Sequence, residues 1–261
     1  ITGLFFIIVL IGALLLGEVV FTVFFSLVGL GALYEFYGIS KSEDNKPNLL
    51  LGMLAAVALT VLVGMHCLGY IPFKFVWLVI PFFALIFIVS LYQKSKLPFN
   101  DIGYTLLGIM YACIPFIFFV ALGFIQGTFN HYIPLGFLII LWANDTGAYL
   151  SGRSFGKHKL FERISPNKTW EGFVGGVLFA MLIALNLAQY FGSLQKWEWV
   201  TMAAIIGVFG TLGDLVESML KRSLGVKDSG SILPGHGGLL DRFDGLLIAA
   251  PLVFLFLLML Q

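Results

Sequence analysis

Long apolar runs follow one another along almost the whole chain, and they restrict its fold more than any other feature. A hydrocarbon layer of about 30 Å is crossed by a helix of about 20 apolar residues. Because lipid offers no hydrogen-bond partners, the backbone inside such a run must satisfy itself, which favours helices over open strands. With 59% hydrophobic residues, 11% charged residues and a mean hydropathy of +0.99, the chain is too apolar for a soluble domain. We therefore predict an all-α, polytopic transmembrane protein.

Nine helical spans are predicted, with boundaries accurate to a few residues. Only Gly17 and Glu18 separate the first two spans, so a tight hairpin and a broken helix are alternatives there. The predicted spans are residues 2–17, 18–38, 48–69, 73–92, 103–124, 131–151, 170–192, 197–219 and 242–261.

The basic residues between the spans predict the orientation of the chain. Of the 15 Lys and Arg residues, thirteen follow an even-numbered span, and only Lys74 and Lys196 follow an odd-numbered one. Short loops that are rich in Lys and Arg stay in the cytoplasm. We therefore expect the even-numbered loops and the amino terminus in the cytoplasm, and the carboxyl terminus outside.

Charge is concentrated in the second half of the chain. Residues 141–261 hold 10 of the 15 basic and 9 of the 14 acidic residues. We predict a membrane scaffold in residues 1–125 and a catalytic half in residues 126–261, with cytoplasmic loops at 152–169 and 220–241. The net charge of +1 indicates no particular partner, and nucleic acid is not expected as one.

Asp145 lies near the end of the sixth predicted span, within the segment WANDTGAY. A carboxylate at this depth is costly unless it faces protein, a cation or water. Asn144, Thr146 and Tyr149 add oxygen and amide groups around it. Asp145 is therefore a candidate cavity residue. The alternative is a carboxylate at the cytoplasmic mouth of the span that pairs with Arg153.

The loop from Gly152 to Gly172 combines basic residues with Gly, Ser, Thr and Asn, as a phosphate-binding surface requires. Its SPNKT segment predicts a turn into a helix with Glu171 in the first helical turn, and a helix amino terminus suits a phosphate. The alternative is a solvated positive loop that sets topology and binds anionic lipid headgroups. The candidate phosphate contacts are Ser165, Asn167, Lys168 and Thr169.

Polar residues also recur at the end of the eighth predicted span. Their spacings of three and four place them on one face of a helix, which cannot point at lipid. Lys221 and Arg222 then leave the span, and a glycine-rich loop follows. The residues on this face are Asp214, Glu217, Ser218 and Lys221.

The start of the ninth predicted span carries further carboxylates. Asp241 and Asp244 are three residues apart, which predicts that they share a helical face. Together with Asp214 they could surround a hard cation such as Mg²⁺. His236 alone is more often a turn residue or hydrogen-bond partner than a ligand. The three polar clusters together suit phosphoryl or nucleotidyl transfer, which needs positioning and charge neutralisation.

The segment from Ser218 to Asp244 resembles the signature of the phosphatidate cytidylyltransferases, or CDP-diacylglycerol synthases. It fits S-x-x-K-R-x₄-K-D-x-G-x₂-L-P-x-H-G-G-x₂-D-R-x-D over 27 positions without a departure. SPNKTWEG and WANDTGAY resemble the same family. The matching residues are Ser218, Lys221, Arg222, Lys227, Asp228, Gly230, Leu233, Pro234, His236, Gly237, Gly238, Asp241, Arg242 and Asp244.

The resemblance implies that phosphatidic acid and CTP are converted to CDP-diacylglycerol and pyrophosphate, an early step of phospholipid biosynthesis. It also implies a Mg²⁺-dependent homodimer in the inner (plasma) membrane, with its active site facing the cytoplasm and K⁺ as a candidate second cation. The residues expected to act in catalysis are Asp214, Asp241, Lys221, Arg222 and Asp244, with Asp214 and Asp241 as metal ligands. The expected substrate contacts are Ser165, Asn167, Lys168, Thr169, Ser218, Lys227, Asp228, His236, Arg242 and Asp145.

Two other functions fit parts of the same pattern. A CTP-dependent lipid kinase, such as a polyprenol kinase, would transfer the γ-phosphate and leave CDP instead of pyrophosphate. A cation- or proton-coupled transporter would line a pathway with Asp145, Asp214 and Glu217. The transporter is the weaker alternative, because the charges gather on one membrane face and no inverted repeat is apparent.

Overall fold

The computed structural model describes residues 2–230 and 237–261, and regular secondary structure in this part is helical apart from one short hairpin. A 3₁₀ turn, Phe73–Val79, leads into α4, and a π turn, Ile109–Cys113, joins α5 to α6. The predicted all-α class is confirmed. The elements are α1 (Thr2–Leu15), α2 (Glu18–Ser40), α3 (Leu49–Cys67), α4 (Ile80–Tyr92), α5 (Pro98–Gly108), α6 (Ile114–Leu122), α7 (Tyr132–Phe155), β1 (Lys159–Phe161), β2 (Ser165–Thr169), α8 (Trp170–Tyr190), α9 (Lys196–Ser223) and α10 (Leu239–Leu258).

Seven helical segments of the described chain are long and apolar enough to cross a membrane, and they match the second to eighth predicted spans. The first predicted span corresponds to α1, which has only 14 residues. The ninth corresponds to α10, which has 20 residues but carries Asp241, Arg242 and Asp244 near its start. The seven segments are Glu18–Ser40, Leu49–Cys67, Phe73–Tyr92, Pro98–Leu122, Tyr132–Phe155, Trp170–Tyr190 and Lys196–Ser223.

The chain divides into two compact units. The first unit consists of Ile1–Ala121 and Val226–Arg242, and the second of Leu122–Gly225 and Phe243–Gln261. The segment Val226–Arg242 therefore groups with the helices that were predicted to be scaffold. The functional division into scaffold and catalytic halves stays a prediction.

Aromatic packing between α2 and α6 forms the core of the first unit. Phe21, Phe25 and Phe119 are fully buried, and the ring centroids of Phe25 and Phe119 lie 4.7 Å apart. Gly29 allows this close approach, because a Cβ atom there would lie 2.8 Å from the Cβ of Phe116. The contact fixes α2, whose carboxyl-terminal half carries one buried carboxylate, Glu35.

Small residues bring α7 and α8 together in the second unit. A Cβ atom at Gly176 would lie 2.8 Å from the backbone oxygen of Asn144, and one at Gly172 would lie 2.9 Å from that of Ala148. Small residues at helix interfaces are the usual means by which membrane helices approach closely. This packing places the polar end of α7 next to the hairpin that precedes α8.

The SPNKT segment differs from its prediction. Ser165–Thr169 forms β2, which pairs antiparallel with β1, so the predicted turn is wrong. Ser, Pro and Asn favour turns locally, but cross-strand pairing holds them extended, and a two-stranded ribbon tolerates Pro166 at its edge. The predicted helix start is confirmed, because α8 begins directly after Thr169 and has Glu171 in its first turn.

The carboxyl-terminal helix is interrupted near its start. Phe243 has φ −120° and ψ 16°, outside the helical range, so two helical pieces meet there. The prediction that Asp241 and Asp244 share one helical face is therefore wrong, because the three-residue spacing predicts a common face only in an unbroken helix.

Candidate active site

A cavity of about 620 Å³ lies in the second unit, bordered by the hairpin and by α7, α8 and α9. This volume is in the range of small-molecule binding sites. The cavity brings together residues of the WANDTGAY segment, of the loop from Gly152 to Gly172 and of the polar face of the eighth predicted span. The predicted site residues that line it are Asp145, Ser165, Asn167, Lys168, Thr169 and Asp214.

An ion pair joins the hairpin to α9 at the cavity wall. The Nζ atom of Lys168 lies 2.5 Å from Oδ2 of Asp214, and the two side chains are 25% and 35% exposed. The Ser218 hydroxyl lies 3.4 Å from the other carboxylate oxygen of Asp214 and donates to it. The SPNKT lysine and the α9 aspartate thus meet in the folded chain although 46 residues separate them.

Three carboxylates of the second unit interact electrostatically. Asp145, Asp214 and Asp244 are close enough for their negative charges to repel one another. Lys168 attracts Asp145 as well as Asp214, and so compensates part of this charge. Such a cluster favours an additional cation, since neighbouring like charges are costly to keep ionised.

A second ion pair lies deeper on α9. Lys221 Nζ is 2.7 Å from Oε2 of Glu217, and Glu217 is only 1% exposed. This pair and the contact between Ser218 and Asp214 confirm the predicted common face of α9. Arg222, one residue further on, is exposed.

Some residues that line the cavity were not among the predicted catalytic residues and substrate contacts. Thr211 lines the cavity three residues before Asp214, and its hydroxyl accepts a hydrogen bond of 3.3 Å from Nδ2 of Asn144. Arg153 and Tyr149 also line it, and Arg153 donates to the Tyr149 hydroxyl at 3.1 Å. The sequence did offer a signal for Thr211, because its hydroxyl lies one helical turn before Asp214, a predicted catalytic carboxylate.

Two sets of hydrogen bonds hold the hairpin against α8. The Thr169 hydroxyl caps the helix by accepting the Gly172 N–H at 3.1 Å. The Glu171 carboxylate accepts the backbone N–H groups of Lys157 and His158 and contacts Nδ1 of His158 at 2.6 Å. These contacts hold Lys168 in place on the strand immediately before the helix.

The signature segment is organised by Asp241 within the first unit. Oδ2 of Asp241 accepts three hydrogen bonds, from the Ser229 N–H at 2.9 Å, the Ser229 hydroxyl at 2.8 Å and the Gly238 N–H at 2.9 Å. The exposed predicted residues of this segment are Arg222, Lys227, Asp228 and Arg242. His236 lies outside the described residues, and its predicted role stays a prediction.

A divalent metal ion in the cavity would need oxygen ligands from its carboxylates. Within residues 2–230 and 237–261, no three His, Cys, Asp or Glu side chains form a group that could hold a metal ion. Mg²⁺ usually keeps several waters and takes one or two protein carboxylates together with phosphate oxygens. Asp214, with Asp145 and Asp244 nearby, fits this kind of shared site, which needs a phosphate ligand to complete it.

The fold and the cavity define a polytopic membrane protein whose site suits a phosphate-bearing ligand. A sequence model of the cytidylyltransferase family matches residues 1–260, and the chain belongs to that family. The phosphatidate cytidylyltransferase of Staphylococcus aureus (strain COL) is 38% identical over 261 residues, which cover 98% of this chain and 97% of that protein. The phosphatidate cytidylyltransferase of Staphylococcus haemolyticus (strain JCSC1435) is 44% identical over 167 residues, 64% of this chain and 63% of that protein. The resemblance drawn from the motifs is confirmed.

Proposed function

We propose that the chain transfers the cytidylyl group of CTP to phosphatidic acid, giving CDP-diacylglycerol and pyrophosphate in phospholipid biosynthesis. The observation that carries this proposal is the ion pair between Lys168 of the SPNKTWEG motif and Asp214, an expected metal ligand, at the wall of one cavity. The names of the relatives support the same reaction, and these relatives align with most of the chain. In this proposal the site faces the cytoplasm at the inner membrane, and the excess of basic residues after the even-numbered spans supports this orientation.

The chemistry is a single displacement at phosphorus. A phosphate oxygen of phosphatidic acid attacks the α-phosphorus of CTP, and the bond from this phosphorus to the α–β bridging oxygen breaks. Pyrophosphate leaves with the bonding electrons, so the protein needs no covalent nucleophile. Mg²⁺, when bound, supplies neutralisation of charge on the α- and β-phosphate oxygens.

The cavity residues bind and orient the substrates in this mechanism. The Lys168 ammonium pairs with phosphate oxygens and offsets the charge that develops on the leaving group. Ser165, Asn167 and Thr169 offer hydrogen bonds to phosphate or ribose, and Asp145 orients groups in the cavity.

The remaining roles are proposed from the family resemblance. Asp241 is the second proposed metal ligand, K⁺ is the candidate second cation, and a homodimer is the proposed assembly. Asp244 belongs to the proposed catalytic group. The further proposed contacts to substrates or pyrophosphate are Ser218, Lys221, Arg222, Lys227, Asp228, His236 and Arg242.

The test is pyrophosphate release by the purified protein in detergent, supplied with phosphatidic acid, CTP and Mg²⁺, with each substrate omitted in turn. We expect pyrophosphate only when both substrates are present, together with CDP-diacylglycerol. Release of CDP would favour the lipid kinase. If folded protein forms neither product even with added K⁺, the proposal fails and the charged cavity becomes a binding or transport site.

A further inference from the structure

Glu35 is a buried carboxylate on α2, and the reaction proposed above gives it no role. Its side chain is 5% exposed, and it lies within one of the helical segments apolar enough to cross a membrane. A charge in such a helix is costly and is typically retained for a specific polar contact. Its Oε2 atom accepts the backbone N–H of Leu240 at 3.1 Å, across 205 residues of sequence.

This contact lies at the amino end of α10. The first N–H groups of a helix have no partner inside it, so a side-chain acceptor stabilises that end. A negative charge there also interacts favourably with the helix dipole. Asp241 follows Leu240 directly, so the contact fixes the backbone from which the Asp241 carboxylate extends.

Two glycines of the signature segment lie against the same carboxylate. A Cβ atom at Gly230 would lie 2.5 Å from Oε1 and 2.7 Å from Cδ of Glu35. One at Gly238 would meet the Ser229 hydroxyl and would also lie 2.5 Å from Oε2 of Glu35. Neither glycine has a positive φ, so the close approach of Glu35, and of Ser229 at Gly238, explains these glycines better than backbone conformation does.

The same two stretches of backbone are also bonded to Asp241. The N–H groups of Ser229 and Gly238 donate to one oxygen of Asp241, while the neighbouring Gly230 and Gly238 contact Glu35. Two carboxylates therefore hold the flanks of residues 231–236 together. One of them is a predicted catalytic residue, and the other comes from a helix that was predicted to be scaffold.

We propose that Glu35 is a positioning residue for the nucleotidyl transfer, which holds the amino end of α10 and the backbone at Gly230 and Gly238 so that Asp241 is correctly placed. This inference rests on the proposed function. Glu35 acts through Asp241 and the backbone around it, and it contacts no reacting group.

The test compares Glu35→Ala with Glu35→Gln in the pyrophosphate assay. Misplacing a catalytic group by about 1 Å costs on the order of 100-fold in rate, so we expect Glu35→Ala to lower kcat by at least tenfold while the KM for CTP changes little. Glu35→Gln keeps an acceptor oxygen at the same length, and we expect it to restore most of kcat. Size-exclusion and thermal-unfolding measurements show that each variant is folded.

A second variant probes the same contact from the other side. Gly230→Ala should displace the Glu35 carboxylate and lower kcat, whereas Gly38→Ala on α2, with open space around it, is the matched control that should not. Because both changes disturb one contact, Gly230→Ala combined with Glu35→Ala should be little worse than the stronger single variant.

The outcomes separate this inference from the proposed function. Any one of three results would overturn the inference. Glu35→Ala could keep full kcat, Glu35→Gln could be as slow as Glu35→Ala, or the effects of Gly230→Ala and Glu35→Ala could simply add. If the unsubstituted protein makes no pyrophosphate, amide hydrogen exchange at Leu240 decides instead. Faster exchange in Glu35→Ala supports the positioning contact, and unchanged exchange rejects it.

Discussion

At the scale of single residues, Lys168 compensates part of the negative charge of the carboxylates in and near the cavity. Its ammonium pairs with Asp214 and attracts Asp145, beside a carboxylate cluster that would otherwise repel an incoming triphosphate. We expect Lys168→Ala to reduce the rate of pyrophosphate release by about 100-fold or more, the usual cost of losing a charged contact to the transition state. Initial rates at several Mg²⁺ concentrations measure the effect.

Lys157 provides the matched control for this substitution. It is exposed in the same basic loop, and it donates its backbone N–H, not its side chain, to Glu171. We expect Lys157→Ala to keep a rate close to that of the unsubstituted protein. Equal losses in the two variants would mean that the total positive charge of the loop matters, and not the position of Lys168.

Asp241 accepts hydrogen bonds and also supplies a negative charge, and substitution by Asn separates these two functions. Its Oδ2 atom accepts three hydrogen bonds, whereas its proposed catalytic role needs the negative charge. Asp241→Asn retains one acceptor oxygen but no charge, so we expect turnover to be abolished while the protein stays folded and keeps its oligomeric state. Activity assays, unfolding curves and size exclusion test this together, and substantial residual activity would remove Asp241 from the metal site.

At the scale of elements, the site depends on how closely α7 and α8 approach. A Cβ atom at Gly176 would lie 2.8 Å from the backbone oxygen and 2.9 Å from Oδ1 of Asn144. Although Ala is the better helix former, we expect Gly176→Ala to destabilise the protein by roughly 1–3 kcal/mol through overpacking. The unfolding temperature and the activity should both fall, because the helices must separate around the cavity.

Gly192 supplies the comparison for this prediction. It follows α8, a Cβ atom there would meet nothing within 4 Å, and its φ is not positive. Gly192→Ala should leave both the unfolding temperature and the activity unchanged. If Gly176→Ala were equally harmless, the interface would be looser than its interatomic distances indicate.

At the scale of the whole molecule, the sequence was sufficient for those features that depend on local composition. Apolar runs located the helices, because spanning length and backbone satisfaction leave few other folds. The SPNKT strand was missed because its pairing with Lys159–Phe161 is a tertiary contact that local turn preference does not reveal. The break at Phe243 was missed for a similar reason, since nothing in the local pattern marks it.

The candidate site likewise has features that the local sequence predicts and features that depend on tertiary contacts. Asp145, Lys168 and Asp214 were predictable, because charged or polar groups in an apolar chain need a function or a partner. That Lys168 pairs with Asp214 was not predictable, since 46 residues lie between them. Glu35 had a visible signal, a single acid within an apolar run, but its contact with Leu240 emerges only in the folded first unit.

The orientation of the whole molecule provides the last prediction. The charge bias predicts the loop around Lys157 in the cytoplasm and the loop around Lys74 outside, and both residues are exposed. Single-cysteine variants at these two positions, made after replacement of Cys67 and Cys113 by Ala, can be labelled in intact cells with a membrane-impermeant thiol reagent. We expect Lys74→Cys to react at once and Lys157→Cys to react only after the cells are opened. Reaction of Lys157→Cys in sealed cells would place the hairpin and the cavity it borders on the outer side, where cytoplasmic CTP does not reach them, and would overturn both the span count and the proposed reaction.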